Sequence, residues 1–156
     1  MSTERDGQEI KQVLPLGWRF SRSITPSAGS SIVVFDPSGH YLAIGGLHLI
    51  EIWSSETGEK LRTIKAHDGK VLSIAFDQKS RVLASSGTDQ VVRLWDLESG
   101  KLVSILPVPR GPVRALSFHP VLPLLAAGTS GGTISIWDVH DFQLPTILKP
   151  WRTVAG

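Results

Sequence analysis

Three tryptophans set the frame for this chain. Trp53, Trp95 and Trp137 follow one another at steps of 42 residues. Phe35, Phe76 and Phe118 recur at steps of 41 and 42, and Ala43, Ala84 and Ala126 do the same. Within each unit the Phe-to-Ala step is 8 residues, and the Ala-to-Trp step is 10 in the first unit and 11 in the other two. Three residue types sharing one period exclude an irregular single-copy fold. A period of this length belongs to stacked supersecondary units that bury their apolar faces against one another.

The middle copy shows what one unit contains. Val71–Phe76 is a short apolar run, followed by a polar turn, and Arg81–Ser85 is a second run. Beyond a turn at Gly87–Gln90 come Val91–Trp95, another turn at Glu98-Ser99-Gly100, and Lys101–Ile105. Short runs bounded by turn residues read as antiparallel strands, and no segment of the repeats holds a helical period. The first unit gives Ile32–Phe35, Tyr41–Ile44, Leu49–Trp53 and Lys60–Ile64, and the third gives Val113–Phe118, Leu124–Ala127, Thr133–Trp137 and Gln143–Leu148.

The strands differ in a telling way. Val71–Phe76, Val113–Phe118 and Leu124–Ala127 carry few or no charges, which implies burial on both faces of a sheet. Lys60-Leu-Arg-Thr-Ile64 alternates, as a half-exposed strand does. A four-stranded sheet with dry inner strands and a wetter outer strand, sandwiched between two like sheets, is a propeller blade. The expected fold is therefore all-β, with three four-stranded antiparallel blades forming an incomplete ring. The units divide as 25–65, 66–107 and 108–148, with 1–24 as an N-terminal tail and 149–156 as a C-terminal tail. Within that first tail, Arg19–Ile24 is the candidate for one strand of a neighbouring blade.

Over about Ser27–Leu148 the chain resembles the WD-repeat family of β-propellers. The middle copy carries the resemblance. Ala66-His67-Asp68-Gly69 stands where the family has Gly-His, and Leu83–Asp89 leads through Val91-Val92-Arg93-Leu94 to Trp95-Asp96. The resemblance implies a hydrogen-bonded set inside the blade, by position His67, Ser85, Asp89 and Trp95. A buried indole N–H needs an acceptor and a buried carboxylate needs partners. On this reading the Ser85 hydroxyl bridges indole and carboxylate, and Asp89 accepts N–H groups of its own turn.

The flanking copies depart from that pattern. Ile44 and Ala127 replace the serine, Leu47 or His48 and Gly131 occupy the aspartate region, and Arg110-Gly111 replaces the His dipeptide of the third copy. These two blades are expected to rely on packing alone. In the family the loops entering the first strand and joining the second to the third share one rim, commonly used for peptides and domains. The matching positions are Ser30 and His48, then Asp68, Lys70 and Thr88, then Arg110, Arg114 and Ser130. Their cations favour an acidic partner.

Composition removes several other functions. The 156 residues include no Cys, which excludes disulfides, Cys-ligated zinc and a thiol nucleophile. With 16 Lys and Arg against 14 Asp and Glu, the formal charge of +2 argues against nucleic acid and against a basic membrane-seeking surface. The polar start reads neither as a secretory signal nor as a transit peptide, no apolar run is long enough to span a membrane, and an intracellular (cytoplasmic or nuclear) chain is the expectation. The five histidines make no i, i+4 pair, so no metal or cofactor is expected; His40 and His119 read as solvated turn residues. Gly128–Thr133 lacks the Gly-Lys-Ser/Thr ending of a phosphate loop and precedes a strand, so it reads as a hairpin turn. Asp36, Asp77, Asp89, Asp96 and Asp138 sit at turn positions, where turn-making accounts for them.

A non-catalytic scaffold for protein partners follows. The alternatives are part of a propeller enzyme with its active site in the central channel, or a nucleic-acid-associated scaffold. The innermost strands offer the channel only Arg114, which disfavours the enzyme. Three blades leave an apolar face bare at each end, so further blades are expected from self-association, another chain or sequence outside this one.

Overall fold

The computed structural model describes residues 21–27, 29–108 and 110–140, together with the backbone of one further strand. The elements are β1 (Ile32–Phe35), β2 (Tyr41–Gly45), β3 (Leu47–Ser54), β4 (Lys60–Phe76), β5 (Val82–Gly87) and β6 (Val91–Asp96). They continue as β7 (Leu102–Pro107), β8 (Val113–Phe118), β9 (Leu124–Thr129), β10 (Thr133–Asp138) and β11 (Arg152–Ala155). All neighbours pair antiparallel, in the orders β1 to β7 and β11-β10-β9-β8. The described residues contain no helix.

The repeated alanines mark equivalent points in this register. Ala43 pairs with Val34 and Ile52, Ala84 with Ala75 and Leu94, and Ala126 with Ser117 and Ile136. One core lies between the first two blades, where Ala43, Ile50 and Ile52 meet Ile74, Phe76, Leu83 and Trp95. A second lies between the last two, where Val82, Ala84, Val92 and Leu94 meet Leu125, Ala127 and Trp137. Each blade thus offers its Phe and Trp face to the blade before it.

Two details differ from the sequence reading. Lys60–Ile64 and Val71–Phe76 are one continuous strand: β4 pairs with β3 through Lys60–Lys65 and, past an irregularity, at Lys70, and with β5 through Val71–Phe76. The linking residues stay extended because Ala66 and His67 are drawn into the interior. The next blade junction is broken, since Pro107 and Pro112 have no N–H to give a ladder. Second, the strand that pairs with β10 is Arg152–Ala155, within the stretch read as a tail. The expected Gln143–Leu148 lies outside the described residues.

Of the candidate neighbouring-blade strand Arg19–Ile24, residues 21–24 are described, and they join no ladder among the described strands. Its Arg22 nonetheless sits over the turn glycine Gly58, where a Cβ would come within 3.0 Å of Arg22 Cδ. Arg62 sits over Gly100 in the same way, 2.6 Å from a Cβ there, and donates to the Ser99 and Glu98 carbonyls. Both glycines have positive φ, 73° and 70°, so the turn needs them for backbone reasons as well.

Candidate functional site

The interior set of the middle blade is built from three elements. His67 lies in β4, Ser85 in β5 and Trp95 in β6, and Asp89 sits in the turn between β5 and β6. Trp95 Nε1 donates to Ser85 Oγ at 2.8 Å, and Ser85 Oγ is 2.8 Å from His67 Nε2. His67 Nδ1 is 2.8 Å from Asp89 Oδ1, and Arg93 donates to Asp89 Oδ2. An indole can only donate, so Ser85 accepts from it and gives its own proton to His67 Nε2. Nε2 is then the accepting nitrogen, and Nδ1 faces Asp89 Oδ1, with Arg93 Nη1 also 2.7 Å from it.

Electrostatics agree with that assignment. Burial pushes the His67 pKa down, outweighing the attraction of Asp89, and Arg93 adds to the fall. Burial pushes Asp89 up, but hydrogen bonds from Arg93 and His67 hold its carboxyl below the ordinary range. Two expectations are refined. Ser85 joins the indole to the imidazole and not to the carboxylate. The backbone N–H that reaches Asp89 comes from Asp68 in the entering loop, at 3.4 Å. Gly87 makes room for the ring, since a Cβ there would stand 2.6 Å from His67 Cγ.

Serine, histidine and aspartate here have the connectivity of a hydrolytic triad. Ser85 is wholly buried, and its oxygen already accepts the Trp95 N–H. The bonds of the set run between β4, β5, β6 and the turn joining β5 to β6.

The first blade does not rely on packing alone. Trp53 Nε1 donates to Glu51 Oε2 at 3.2 Å, Ser27 Oγ to Glu51 Oε1 at 2.9 Å, and Lys60 Nζ to Oε1 at 3.2 Å. Burial pushes the Glu51 pKa up, but these donors and the charge of Lys60 bring it below the ordinary value. Sequence reading missed this cluster; a lone acid inside the apolar run Leu49–Trp53 was the available signal. In the third blade Trp137 is fully buried, and its Nε1 has no acceptor among the described residues. Ala127 stands where Ser85 would supply one.

The turn aspartates cap their own turns: Asp36 accepts from the Ser38 and Tyr41 N–H groups, and Asp77 from those of Lys79, Arg81 and Val82. His119 holds the same register, and its Nδ1 accepts from the Val121 and Leu122 N–H groups. It is a turn-maker and more than a solvated residue. Asp36 also accepts from Ser80 Oγ at 2.6 Å, tying the first two blades at this rim.

At the opposite rim Ser30, His48, Asp68, Lys70, Thr88, Arg110, Arg114 and Ser130 are all exposed. The loops they belong to touch in pairs. Thr88 N–H donates to the Lys70 carbonyl, Ser130 N–H to that of Pro112, and His48 Nδ1 lies 3.3 Å from that of His67. No ion pair joins these side chains among the described residues, and no group of His, Asp and Glu there is arranged to hold a metal.

Four-stranded antiparallel blades stacked face to face about a common register define a sector of a β-propeller. The family described as WD domain, G-beta repeat matches residues 58–96 and 100–138, half of the chain, and the protein belongs to it. Each matched repeat begins on the outer strand of one blade and ends on the tryptophan strand of the next. The chain is 38% identical over 64 residues to "Periodic tryptophan protein 2 homolog" of Schizosaccharomyces pombe, covering 40% of this chain and 8% of that protein. It is 37% identical over 62 residues to "p21-activated protein kinase-interacting protein 1-like" of Danio rerio, covering 40% of this chain and 17% of that one. The chain therefore spans a small part of the curated relatives it matches.

Among solved structures, the β-propeller domain of Myceliophteria thermophila Cps50 (Swd1) superposes with a TM-score of 0.73 at 26% identity. That match covers 83% of this chain and 40% of that one. The RRP9 WD40 repeats superpose at 0.75 and 20% identity, covering 85% and 40%, which speaks for the fold alone.

Proposed function

We propose that this chain is a sector of a non-catalytic, intracellular propeller scaffold that presents rim loops to partner proteins and is completed by further blades. The open ends carry the reading. Val33 and Phe35 of the first blade are 57% and 63% exposed, whereas their repeat equivalents Ile74 and Phe76 are 5% and 6% exposed. At the other end Ile134 is 52% exposed and its equivalent Val92 is 0%. Apolar residues at these registers are dry in the middle blade, which has a neighbour on each side. Apolar sheet faces of this kind mark association surfaces.

The rim supplies the second element of the proposal. Lys70, Arg110 and Arg114 outnumber Asp68 there, so an acidic segment of a partner protein is the favoured contact. Native mass by light scattering tests the sector reading. Association into a ring-sized particle, by copies of the chain or with a partner that supplies blades, is the expected result. A stable, compact monomer with a sharp melting transition overturns it. For the rim, Arg110→Glu and Arg114→Glu are expected to release protein partners without changing the melting temperature.

A further inference from the structure

A groove of about 310 Å³ runs between the second and third blades, on the rim away from the loops just described. Its floor is Phe118 and Val139, and its lip is the turn carrying Val121 and Leu122. That turn is well ordered by its own bonds. His119 Nδ1 accepts two of its N–H groups, the Pro123 carbonyl accepts from Val139 N–H, and Pro120 and Pro123 restrict its backbone. Val121 and Leu122 are nevertheless 83% and 52% exposed.

Comparison within the chain makes these two residues stand out. At the same turn positions the first blade carries Ser38 and Gly39, and the second carries Lys79 and Ser80. Polar turn residues serve the fold there, so the valine and leucine are not needed to make the turn. Across the groove stand Lys79 and Arg81, neither of them in an ion pair among the described residues. Asp77 also lines the groove and accepts from three backbone N–H groups, so the wall carries two cations against one carboxylate. The groove therefore joins an apolar lip to a wall of net positive charge.

We propose that this groove binds a short extended peptide of a partner protein, with an apolar side chain seated on Val121 and Leu122 and acidic side chains facing Lys79 and Arg81. The site rests on the scaffold reading only in requiring a protein partner, and it lies on the other rim, so the two are separable by mutation.

The probe is a fluorescein-labelled peptide of alternating Glu and Leu, with its alternating Lys and Leu counterpart as control, titrated against the full chain by anisotropy. Saturable binding of the Glu peptide is expected, weakening with salt and exceeding the Lys peptide by at least about tenfold. Val121→Ser with Leu122→Ser, and separately Lys79→Glu with Arg81→Glu, are each expected to reduce affinity about tenfold or more. All four positions are at the surface, and serine already serves an equivalent turn. Lys101→Glu, a charge reversal at an exposed lysine outside both the groove and the rim, is expected to leave binding unchanged. Equal affinity for both peptides, insensitivity to the groove variants or loss with Lys101→Glu overturns the proposal. So does a concentration-dependent mass that Val121→Ser with Leu122→Ser abolishes, since that gives the groove to a second copy of the chain.

Discussion

The indole N–H of Trp95 ends on Ser85 Oγ at 2.8 Å, whereas that of Trp137, at the same register one blade on, ends on no acceptor among the described residues. Ser85 and Ala127 are repeat equivalents on the strand beside each tryptophan. A buried donor without a partner loses its hydration and gains nothing in return. Ala127→Ser is therefore expected to stabilise the chain by about 1 kcal/mol, read as a higher urea midpoint at unchanged slope. Ser85→Ala is expected to cost about 1–3 kcal/mol, because it strands both Trp95 and His67. A serine at 127 that lowers the midpoint contradicts the account.

His67 gives stability a pH dependence of known sign. Burial lowers its folded-state pKa from the ordinary 6.5, so between that lowered value and 6.5 the unfolded chain binds more protons. Stability is then full above 6.5, and falls as pH drops through that window. Asp89 acts in a separate, more acidic range: its depressed pKa contributes stability above the ordinary 3.8 that is lost as pH falls through the folded value. Urea midpoints at about pH 7.5 and about pH 5.5 are expected to differ in the native chain and to differ less in His67→Gln. An equal drop in both assigns the effect to other groups.

How far the sequence reveals this molecule depends on whether a feature is local. The tryptophan spacing shows three repeated units because each blade repeats one register, and in the middle unit His67, Ser85, Asp89 and Trp95 stand at the positions the family resemblance points to. The Glu51 cluster was not readable in the same way. Its partners Ser27 and Lys60 come from segments 24 and 9 residues away, and only folding brings them to one carboxylate. The unbroken run of β4 is likewise decided by pairing with both neighbours, while turn residues such as Gly69 within it suggest a break. His119 was misread because imidazole and carboxylate look unlike in sequence, yet both offer an acceptor to turn N–H groups.

The Glu51 cluster predicts strong coupling between two substitutions. Lys60 is partly exposed, so its direct attraction is screened, but removing it leaves a wholly buried carboxylate with neutral donors only. Lys60→Met is expected to cost about 1–3 kcal/mol at neutral pH, from stranded charge and from the contact of Nζ with the Trp53 ring. Adding Glu51→Gln is expected to restore most of it, because the amide oxygen still accepts the Trp53 N–H without a charge. A double-mutant cycle on urea midpoints measures this, with a coupling of about 1 kcal/mol or more expected. Simple additivity shows that lysine and carboxylate act independently.

Phe35 and Phe76 occupy the same place in successive blades, and their substitutions separate folding from association. Phe76 packs between two blades, so Phe76→Ala removes a buried ring and leaves a cavity, at an expected cost of about 3–5 kcal/mol. Phe35 faces outward on the first blade and loses little by truncation, so Phe35→Ala is expected to move the melting midpoint of the dilute chain by less than about 1 kcal/mol. Its effect belongs to assembly: Val33→Ser with Phe35→Ser is expected to shift the native mass downward in light scattering while the far-UV spectrum stays unchanged. If Phe35→Ala instead destabilises the dilute chain as much as Phe76→Ala, that ring is buried by the chain itself. The first blade then has no open face to offer.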